Sequence, residues 1–299
     1  MPDPAPGYPL LAAKSYAAES VFRPENLLRE ARRQKRLSDR PVPQVCLLDP
    51  DGDIVDHLAG TGTLAGDGTG RSTARRHPSW ACYHTQMWIT EVDGLPLGVV
   101  GNAVGAPFAV LVAEQLAASG AELVVSITSA GQLLPLAEPP YFVLIEKALR
   151  DEGTSVHYRP PSTWSRLGQH LDHRLATSLV EATVEQMLLR GSSWTTDAPY
   201  RETEDAIAAA KAAGAACVEM EAAALYAYAT ARGQDVVCLA HVTNTMAVAG
   251  DDFEKGNDNG ATASLTVAAA VARAVRPSTS RRVGTGSGRT TPAGPGQSS

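Results

Sequence analysis

Val218-Glu219-Met220-Glu221-Ala222-Ala223-Ala224-Leu225-Tyr226 joins a short apolar strand to an alanine-rich helix. The apolar run 215–218 predicts the strand. The helix is predicted over 222–232, because Gly233 follows it as a natural stop. In open α/β folds, ligands bind at the carboxyl ends of strands, where strands pass into helices. The two glutamates of this stretch therefore lie where a binding site is expected.

The chemistry of this junction suits a sugar. Alternation along an extended segment places Glu219 and Glu221 on one side and Met220 on the other. A carboxylate can accept two hydrogen bonds from a vicinal diol such as the ribose 2′,3′-pair, and methionine offers a polarizable contact to a sugar face. The alternative is that Glu221 is only an acid at a helix start, favoured there by the helix dipole.

Composition excludes several classes of protein. The chain has 299 residues, 44% of them hydrophobic, which is enough for one sizeable core. The net charge of −6 argues against nucleic-acid binding. No apolar run approaches the ~18–20 residues of a membrane helix, and no signal peptide is visible at the start. We therefore expect a cytoplasmic protein without a membrane or nucleic-acid partner.

The cysteines also carry information. The chain has four, with no CxxC spacing, which predicts reduced, buried thiols and no metal site. These cysteines are Cys46, Cys82, Cys217 and Cys238.

Predicted strands and helices alternate over most of the chain, which indicates an α/β fold with a largely parallel sheet. Asp93-Gly94 between two alternating runs predicts a hairpin. Further strands are predicted over 45–48, 123–127, 141–145 and 235–242, and helices over 24–33, 108–119, 171–189, 204–213 and 261–275. Turns or loops are predicted over 60–70, 128–131 and 194–203, and a polar turn with a short extended piece over 151–158. We expect a single domain over 20–276, an N-terminal extension over 1–19, and a disordered Gly/Ser/Thr/Pro-rich tail over 277–299.

Small polar or acidic side chains follow several predicted strands. Asn102, Ser129 and Asn244 do so, as do the two glutamates of the opening stretch. Because the carboxyl ends of parallel strands meet at one edge of a sheet, these groups predict a single site.

Several ordered motifs resemble one family. Val218–Leu225 matches the ribose-binding signature of the nucleoside phosphorylase superfamily, and 153–158 resembles a segment of its uridine phosphorylase branch. Residues 88–101 and Glu114-Gln115-Leu116 also match. Ser129-Ala130-Gly131 is similar to the turn at which these enzymes hold phosphate or the nucleophilic water. The resemblance spans residues 21–275 and is closest to the uridine phosphorylases, with nucleoside hydrolases as cousins.

This resemblance implies a three-layer α/β/α fold around a central mixed, largely parallel sheet, and an enzyme that cleaves N-glycosidic bonds. It places the ribose hydroxyls on Glu221 and the sugar face on Met220, with Glu219 assisting. Glu221, Arg201 and Asn244 are the implied catalytic residues.

The loop with Thr196, Asp197, Tyr200 and Arg201 is the implied base site. Arg201 would donate to a carbonyl of the leaving base; the alternative is a salt bridge to a neighbouring glutamate, Glu202 or Glu204. Asn244 favours an oxo-base, because an amide cannot protonate a purine N7. The alternative for Asn244 is a turn residue that satisfies its own backbone.

The chain departs from the family at the phosphate. Gly52, Tyr83 and Ser126 occupy the positions of its phosphate-binding arginines. Phosphate or water is then expected at a site formed by Asn102, Ser129, Gly131 and His84, with Arg75 and Arg76 as possible substitute cations. Arg23 follows the Val21-Phe22 pair where the family has a histidine that reaches a neighbouring subunit. It would favour an anionic 5′ group or form an interface ion pair.

Three functions follow in order. The first is phosphorolysis of an oxo-base nucleoside to free base and pentose 1-phosphate, with inorganic phosphate as co-substrate and no other cofactor. The second is hydrolysis of a nucleoside or 5′-nucleotide by water. The third is a non-catalytic nucleoside-binding protein. A homo-oligomer with shared active sites is also implied.

Overall fold

The computed structural model describes residues 14–62, 74–178, 188–246 and 253–276. The helices of these residues are α1 Pro24–Lys35, α2 Asp53–Gly62, α3 Ala106–Ala118, α4 Ser155–Tyr158, α5 Gln169–Ser178, α6 Glu204–Ala212, α7 Ala222–Arg232 and α8 Ala261–Val275. The strands are β1 Val45–Asp49, β2 Arg75–Arg76, β3 Met87–Val92, β4 Leu95–Gly101, β5 Leu123–Gln132, β6 Tyr141–Asp151, β7 Trp164–Arg166, β8 Leu188–Thr196, β9 Cys217–Glu219 and β10 Asp235–Asn244.

All ten described strands belong to one sheet in the order β10-β6-β8-β9-β5-β1-β4-β3-β2, with β7 paired to β6. A further pairing of β10 with β5 closes five strands into a ring. The sheet is mixed, as predicted: five of its ten strand pairings are parallel. Because β1, β4, β5 and β10 run parallel, their carboxyl ends meet at one edge.

The described helices other than α6 form two groups. In the first, α1 contacts α3, and both α3 and α4 contact α7, which packs on β6, β7, β8 and β10. Helices α2, α5 and α8 form the second group, which packs on β1, β3, β4 and β5. The predicted three-layer α/β/α arrangement is therefore confirmed.

The apolar residues that predict these strands and helices are the ones buried between the layers. Every residue of β1 is buried, as expected for a central strand covered on both faces. Residues 222–228 of α7 are all buried, and their small alanine side chains let this helix lie close against the sheet. The four cysteines are free and buried, as the sequence predicts.

The hairpin and the central helix have the predicted bounds. Asp93 and Gly94 have φ values of 47° and 79°, the left-handed pair of a two-residue turn. Helix α7 ends at Arg232, and Gly233 follows with φ 67°. Both signals are local backbone requirements, which explains why sequence patterns find them.

Several predicted boundaries are wrong. The predicted turn at 128–131 lies inside β5, which continues to Gln132 because β10 and β9 pair with this part of it. The predicted extended piece before Tyr158 is the short helix α4. The predicted helix over 171–189 ends at Ser178 among the described residues, and Leu188 and Leu189 belong to β8. Strand pairing has overridden local propensity in β5 and β8.

Part of the predicted organisation falls on residues that the structure does not describe. Residues 1–13 of the predicted extension, 63–70 of the predicted loop and the predicted tail at 277–299 lie outside the described residues. Among the helices of the described residues, none has the length and apolarity needed to cross a bilayer.

Tyr226 ties α7 to two strands, and its removal tests this contact. Its hydroxyl donates to the Ile145 carbonyl and accepts from the Cys238 N–H at 3.1 Å, and the side chain is 1% exposed. Tyr226→Phe leaves both backbone groups without this partner, so we expect a loss of about 1–3 kcal/mol in the free energy of unfolding. Urea denaturation measures it. Tyr200→Phe, at a side chain that is 99% exposed, should leave the free energy of unfolding unchanged. Equal stability of the two variants would contradict the role of Tyr226.

Candidate active site

The site lies at the edge where the parallel strands end. Val218 of β9 pairs with Gly131 of β5 in antiparallel register, so the chain after β9 runs back along β5. Three residues beyond this pair Glu221 lies beside Thr128, whose side chain hydrogen-bonds to it. The opening stretch of the sequence therefore reaches this edge as predicted.

Glu219 holds the junction between β9 and α7. Its carboxylate is buried and accepts four hydrogen bonds. Two come from the hydroxyls of Ser193 (2.8 Å) and Thr195 (2.5 Å) on β8, and two from the N–H groups of Glu221 and Ala222 (both 2.7 Å). Four bonds fill the acceptor positions of a carboxylate. Glu219 is therefore the acid that fixes the helix start, a role that the sequence offered as the alternative for Glu221.

Glu221 is the second buried carboxylate, with 1% of its surface exposed. Its oxygens accept from the Gly105 N–H at 2.7 Å and the Met220 N–H at 3.3 Å, and the Thr128 side chain also hydrogen-bonds to it. Burial, together with the neighbouring charge of Glu219, raises the pKa of Glu221 to about 8. Met220 lies beside it, half-buried.

Gly105 positions its N–H through an unusual backbone conformation. It precedes α3 with φ 88°, a region that favours glycine. The Gly-rich turn after β4 thus contributes a donor to Glu221.

Asp51 is a third carboxylate at this edge. It accepts from both donors of Ser129, the N–H at 2.6 Å and the hydroxyl at 2.8 Å. Asp51 is exposed, and its charge contributes to the raised pKa of Glu221. The sequence shows Asp51 only as part of an acidic turn. Its pairing with Ser129, 78 residues away, requires the neighbouring strands β1 and β5.

The turn that carries Asp51 is stabilised by hydrogen bonds to Asp49, the last residue of β1. The buried carboxylate of Asp49 accepts from the N–H groups of Gly52 at 3.2 Å and Val55 at 3.0 Å, and burial raises its pKa to about 7. Gly52 has φ 89°, and a Cβ there would lie 2.5 Å from Asn102 Oδ1. Asn102 therefore packs against this turn, and its N–H donates to the Asp49 carbonyl.

A cation and a histidine lie near the same turn. Lys255 Nζ pairs with Asp53 Oδ2 at 2.5 Å. His241 of β10 lies in register with Ser129 of β5. Its ring stacks on that of Phe142, with ring centroids 4.5 Å apart. Burial, with the charge of Lys255, lowers the pKa of His241 to about 4. Lys255 and His241 were not predicted from the sequence; a histidine three residues before the end of the apolar strand β10 was the available signal for the latter.

The structure brings seven predicted site residues to this edge: Glu219, Met220, Glu221, Asn102, Ser129, Gly131 and Asn244, the last in register with Gly131. Ser129 donates to Asp51, and its neighbour Thr128 hydrogen-bonds to Glu221. Asn102 packs on the turn that carries Asp51. Gly131 pairs with β9 just beyond them.

Asn244 has local partners. Its Oδ1 accepts from the Met246 N–H at 2.9 Å and its Nδ2 donates to Thr243 Oγ1 at 3.2 Å. This is the turn geometry that the sequence offered as its alternative. The next residues, 247–252, lie outside the described part of the chain.

The predicted base-binding residues follow β8. Thr196 Oγ1 accepts from the Ala198 N–H at 3.2 Å, and Asp197 accepts from the Gly153 N–H at 2.8 Å. Tyr200 and Arg201 lie exposed in a short 3₁₀ helix. Among the described ion pairs, Arg201 has none with Glu202 or Glu204. None of these residues bonds to Glu221 in the described structure.

The possible substitute cations lie apart from Asp51. Arg75 and Arg76 form β2, four strands from β5 and hence about 19 Å away in strand spacing. His84 packs edge-on against Phe108 of α3, with centroids 6.2 Å apart. Arg23 pairs with Glu19. Within the described residues, no arginine hydrogen-bonds to Asp51, Ser129 or Glu221.

Comparisons with solved structures agree with this fold. Uridine phosphorylase from Vibrio fischeri ES114 superposes with a TM-score of 0.59 at 18% identity, covering 81% of this chain and 91% of that one. Purine nucleoside phosphorylase from Toxoplasma gondii, in complex with immucillin-H, gives a TM-score of 0.63 at 16% identity and covers 80% and 93%. At these identities the likeness shows the fold alone.

Comparison of the sequence adds to this likeness of fold. An uncharacterised protein of Acanthamoeba polyphaga mimivirus is 29% identical over 129 residues, which are 43% of this chain and about half (49%) of the viral protein. The family model of the phosphorylase superfamily matches residues 62–276, most of the chain. The chain therefore belongs to the phosphorylase superfamily.

Proposed function

We propose that this protein cleaves the N-glycosidic bond of a nucleoside. Glu221 accepts the ribose hydroxyls, and Met220 packs on the sugar. The proposal is supported by the division of roles between the two glutamates. Four protein donors fill the acceptor positions of the Glu219 carboxylate. Glu221, in contrast, lies beside the exposed Asp51–Ser129 pair at the edge where the strands end.

The nucleophile that this geometry favours is water. The observation that carries this choice is the pairing of Asp51 with both donors of Ser129. These donors belong to the segment of β5 that was expected to hold an anion, and a carboxylate already occupies them. A phosphate dianion there would face Asp51 without an arginine among the described partners, which opposes its binding.

Hydrolysis uses the same carboxylate productively. A water molecule donates a hydrogen bond to Asp51 and attacks C1′ of the ribose. The new C–O bond forms as the C1′–N bond breaks, the water proton passes to Asp51, and the base leaves with the bonding electron pair and takes a proton from solvent. The sugar carries positive charge in the transition state, and the carboxylate of Asp51 beside it stabilises that charge.

Phosphorolysis of an oxo-base nucleoside is the second candidate. Lys255 favours it, because this partly exposed cation lies near the Asp51 turn and could exchange Asp53 for a phosphate. The solved neighbours also include a uridine phosphorylase. In either reaction Arg201 is the proposed donor to a base carbonyl, and Asn244 favours an oxo-base.

The assembly and setting are proposed from the resemblance. We propose a cytoplasmic homo-oligomer that shares its active sites and needs no resident cofactor or metal. Val21 is fully exposed and Phe22 is 72% exposed, in the segment where relatives are expected to reach a neighbouring subunit. Such exposure of adjacent apolar side chains suits a protein interface.

The nucleophile is tested with purified protein, a panel of nucleosides and 5′-nucleotides, and phosphate present or absent. We expect free base and ribose at a rate that phosphate does not change. Asp51→Asn should lower kcat by about 10²–10⁴, the usual contribution of a general base. The matched control is Asp56→Asn, at an exposed side chain of α2. Product that forms only with phosphate, as pentose 1-phosphate, would establish phosphorolysis instead.

The ionisation of Glu221 gives a separate prediction. Its pKa is raised to about 8, above the ~4.3 of an unfolded glutamate, so the folded state binds its proton more tightly. This contribution to stability is full below pH ~4 and is lost as the pH rises through about 8. Glu221→Gln cannot ionise, so its melting temperature relative to wild type should increase from pH 6 to pH 9.

Differential scanning fluorimetry across this range measures the effect. Glu204→Gln, at an exposed side chain on α6, is the control and should track the wild type at every pH. A wild-type-minus-Glu221→Gln difference that stays constant with pH would contradict the raised pKa.

A further inference from the structure

A cavity of about 470 Å³ lies between the segment 159–169 and the middle of α7. Arg150, Arg159 and Arg166 line it, and its described lining contains no aspartate or glutamate. None of the residues assigned above to the active site belongs to it. The cavity is therefore a separate feature with a strongly cationic wall, in a chain whose net charge is −6.

Arg150 builds this wall. Its guanidinium donates to Ser155 Oγ at 2.7 Å, the Pro160 carbonyl at 2.6 Å, Ser162 Oγ at 2.8 Å and the Arg159 carbonyl at 3.1 Å. All four acceptors are neutral. The guanidinium is thus fixed in position while its positive charge lacks a bonded carboxylate.

Arg159 and Arg166 add to this surplus of charge. Both are exposed, and neither forms an ion pair with the described residues. Arg166 lies directly opposite Lys147 across the β6–β7 pairing. Like charges directly opposite on neighbouring strands destabilise a sheet. An anion bound here would offset that repulsion.

The remaining wall suits more than a bare ion. Ser165 is 7% exposed and lines the cavity. Trp164 lines it as well, with Lys147 Nζ lying 4.1 Å from the centroid of its ring, and Tyr226, Ala227 and Thr230 of α7 form the other side. The volume falls within the range of pockets that hold small organic ligands, ~300–1,000 Å³.

We propose that this cavity binds a phosphorylated small molecule, either a sugar phosphate or a nucleoside monophosphate. The phosphate lies on the guanidinium groups of Arg159 and Arg166, beside the fixed positive charge of Arg150, with the organic part against α7. Arginine suits this role because its planar fork matches phosphate oxygens. The proposal stands apart from the proposed catalytic function, since it uses other residues and is tested by binding alone.

Isothermal titration calorimetry of the full chain tests the site with three probes: inorganic phosphate, ribose 5-phosphate and uridine 5′-monophosphate. We expect at least one of the two organic phosphates to bind more tightly than inorganic phosphate. The double variant Arg159→Gln/Arg166→Gln should weaken that binding at least tenfold. Both side chains are exposed, so the variant should fold normally. Hydrogen exchange should show protection of 155–169 when the probe is added.

The control is Arg29→Gln/Arg33→Gln, which removes the same charge from α1 and should leave the affinity unchanged. Three outcomes overturn the proposal: no binding of any probe at millimolar concentration, equal binding by wild type and the Arg159/Arg166 double variant, or a preference for inorganic phosphate over both organic probes. Because nucleoside turnover is not measured, failure here leaves the catalytic proposal untouched, and failure of catalysis leaves this one untouched.

Discussion

The buried carboxylate of Glu219 is the interaction on which the site depends. Removing a carboxylate from water costs several kcal/mol unless its hydrogen bonds are replaced. Here two hydroxyls of β8 and two N–H groups at the start of α7 replace them. Thr195 extends the contact, since its hydroxyl also accepts from the Ala223 N–H at 2.9 Å. One charge thus joins β8, β9 and α7, and thereby determines where Glu221 lies.

The second constraint is the concentration of acids at the carboxyl ends of the strands. Asp49, Asp51 and Glu221 lie there, and burial, together with the charges of neighbouring acids, raises the pKa values of Asp49 and Glu221. Lys255, paired with Asp53, is the nearby cation in the described contacts. Such a balance of charge suits a sugar that becomes positive during bond cleavage better than a phosphate that arrives as an anion. The acidic edge and the arginine-lined cavity beside α7 therefore differ in charge, and the two proposed ligands differ accordingly.

Much of the fold was predictable because its signals are local. Asp93-Gly94, Gly233 and the apolar run of β1 each state a backbone or burial requirement within a few residues. The predictions failed where a partner strand decided the outcome. Residues 128–131 carry small side chains typical of a turn, yet they continue β5 because β9 and β10 supply their hydrogen bonds.

The sequence by itself determined the family, the alternation of strands and helices, and the position of Glu219-Met220-Glu221 at a strand end. It could not assign the roles of the two glutamates. Only strand pairing added the Ser193 and Thr195 hydroxyls of β8 to the two local N–H donors of Glu219 and left Glu221 beside Thr128 and Asp51. The pairing of Asp51 with Ser129 was decided in the same way. The physical reason is that a carboxylate's function depends on which donors reach it, and donors far apart in sequence are brought together by strand pairing.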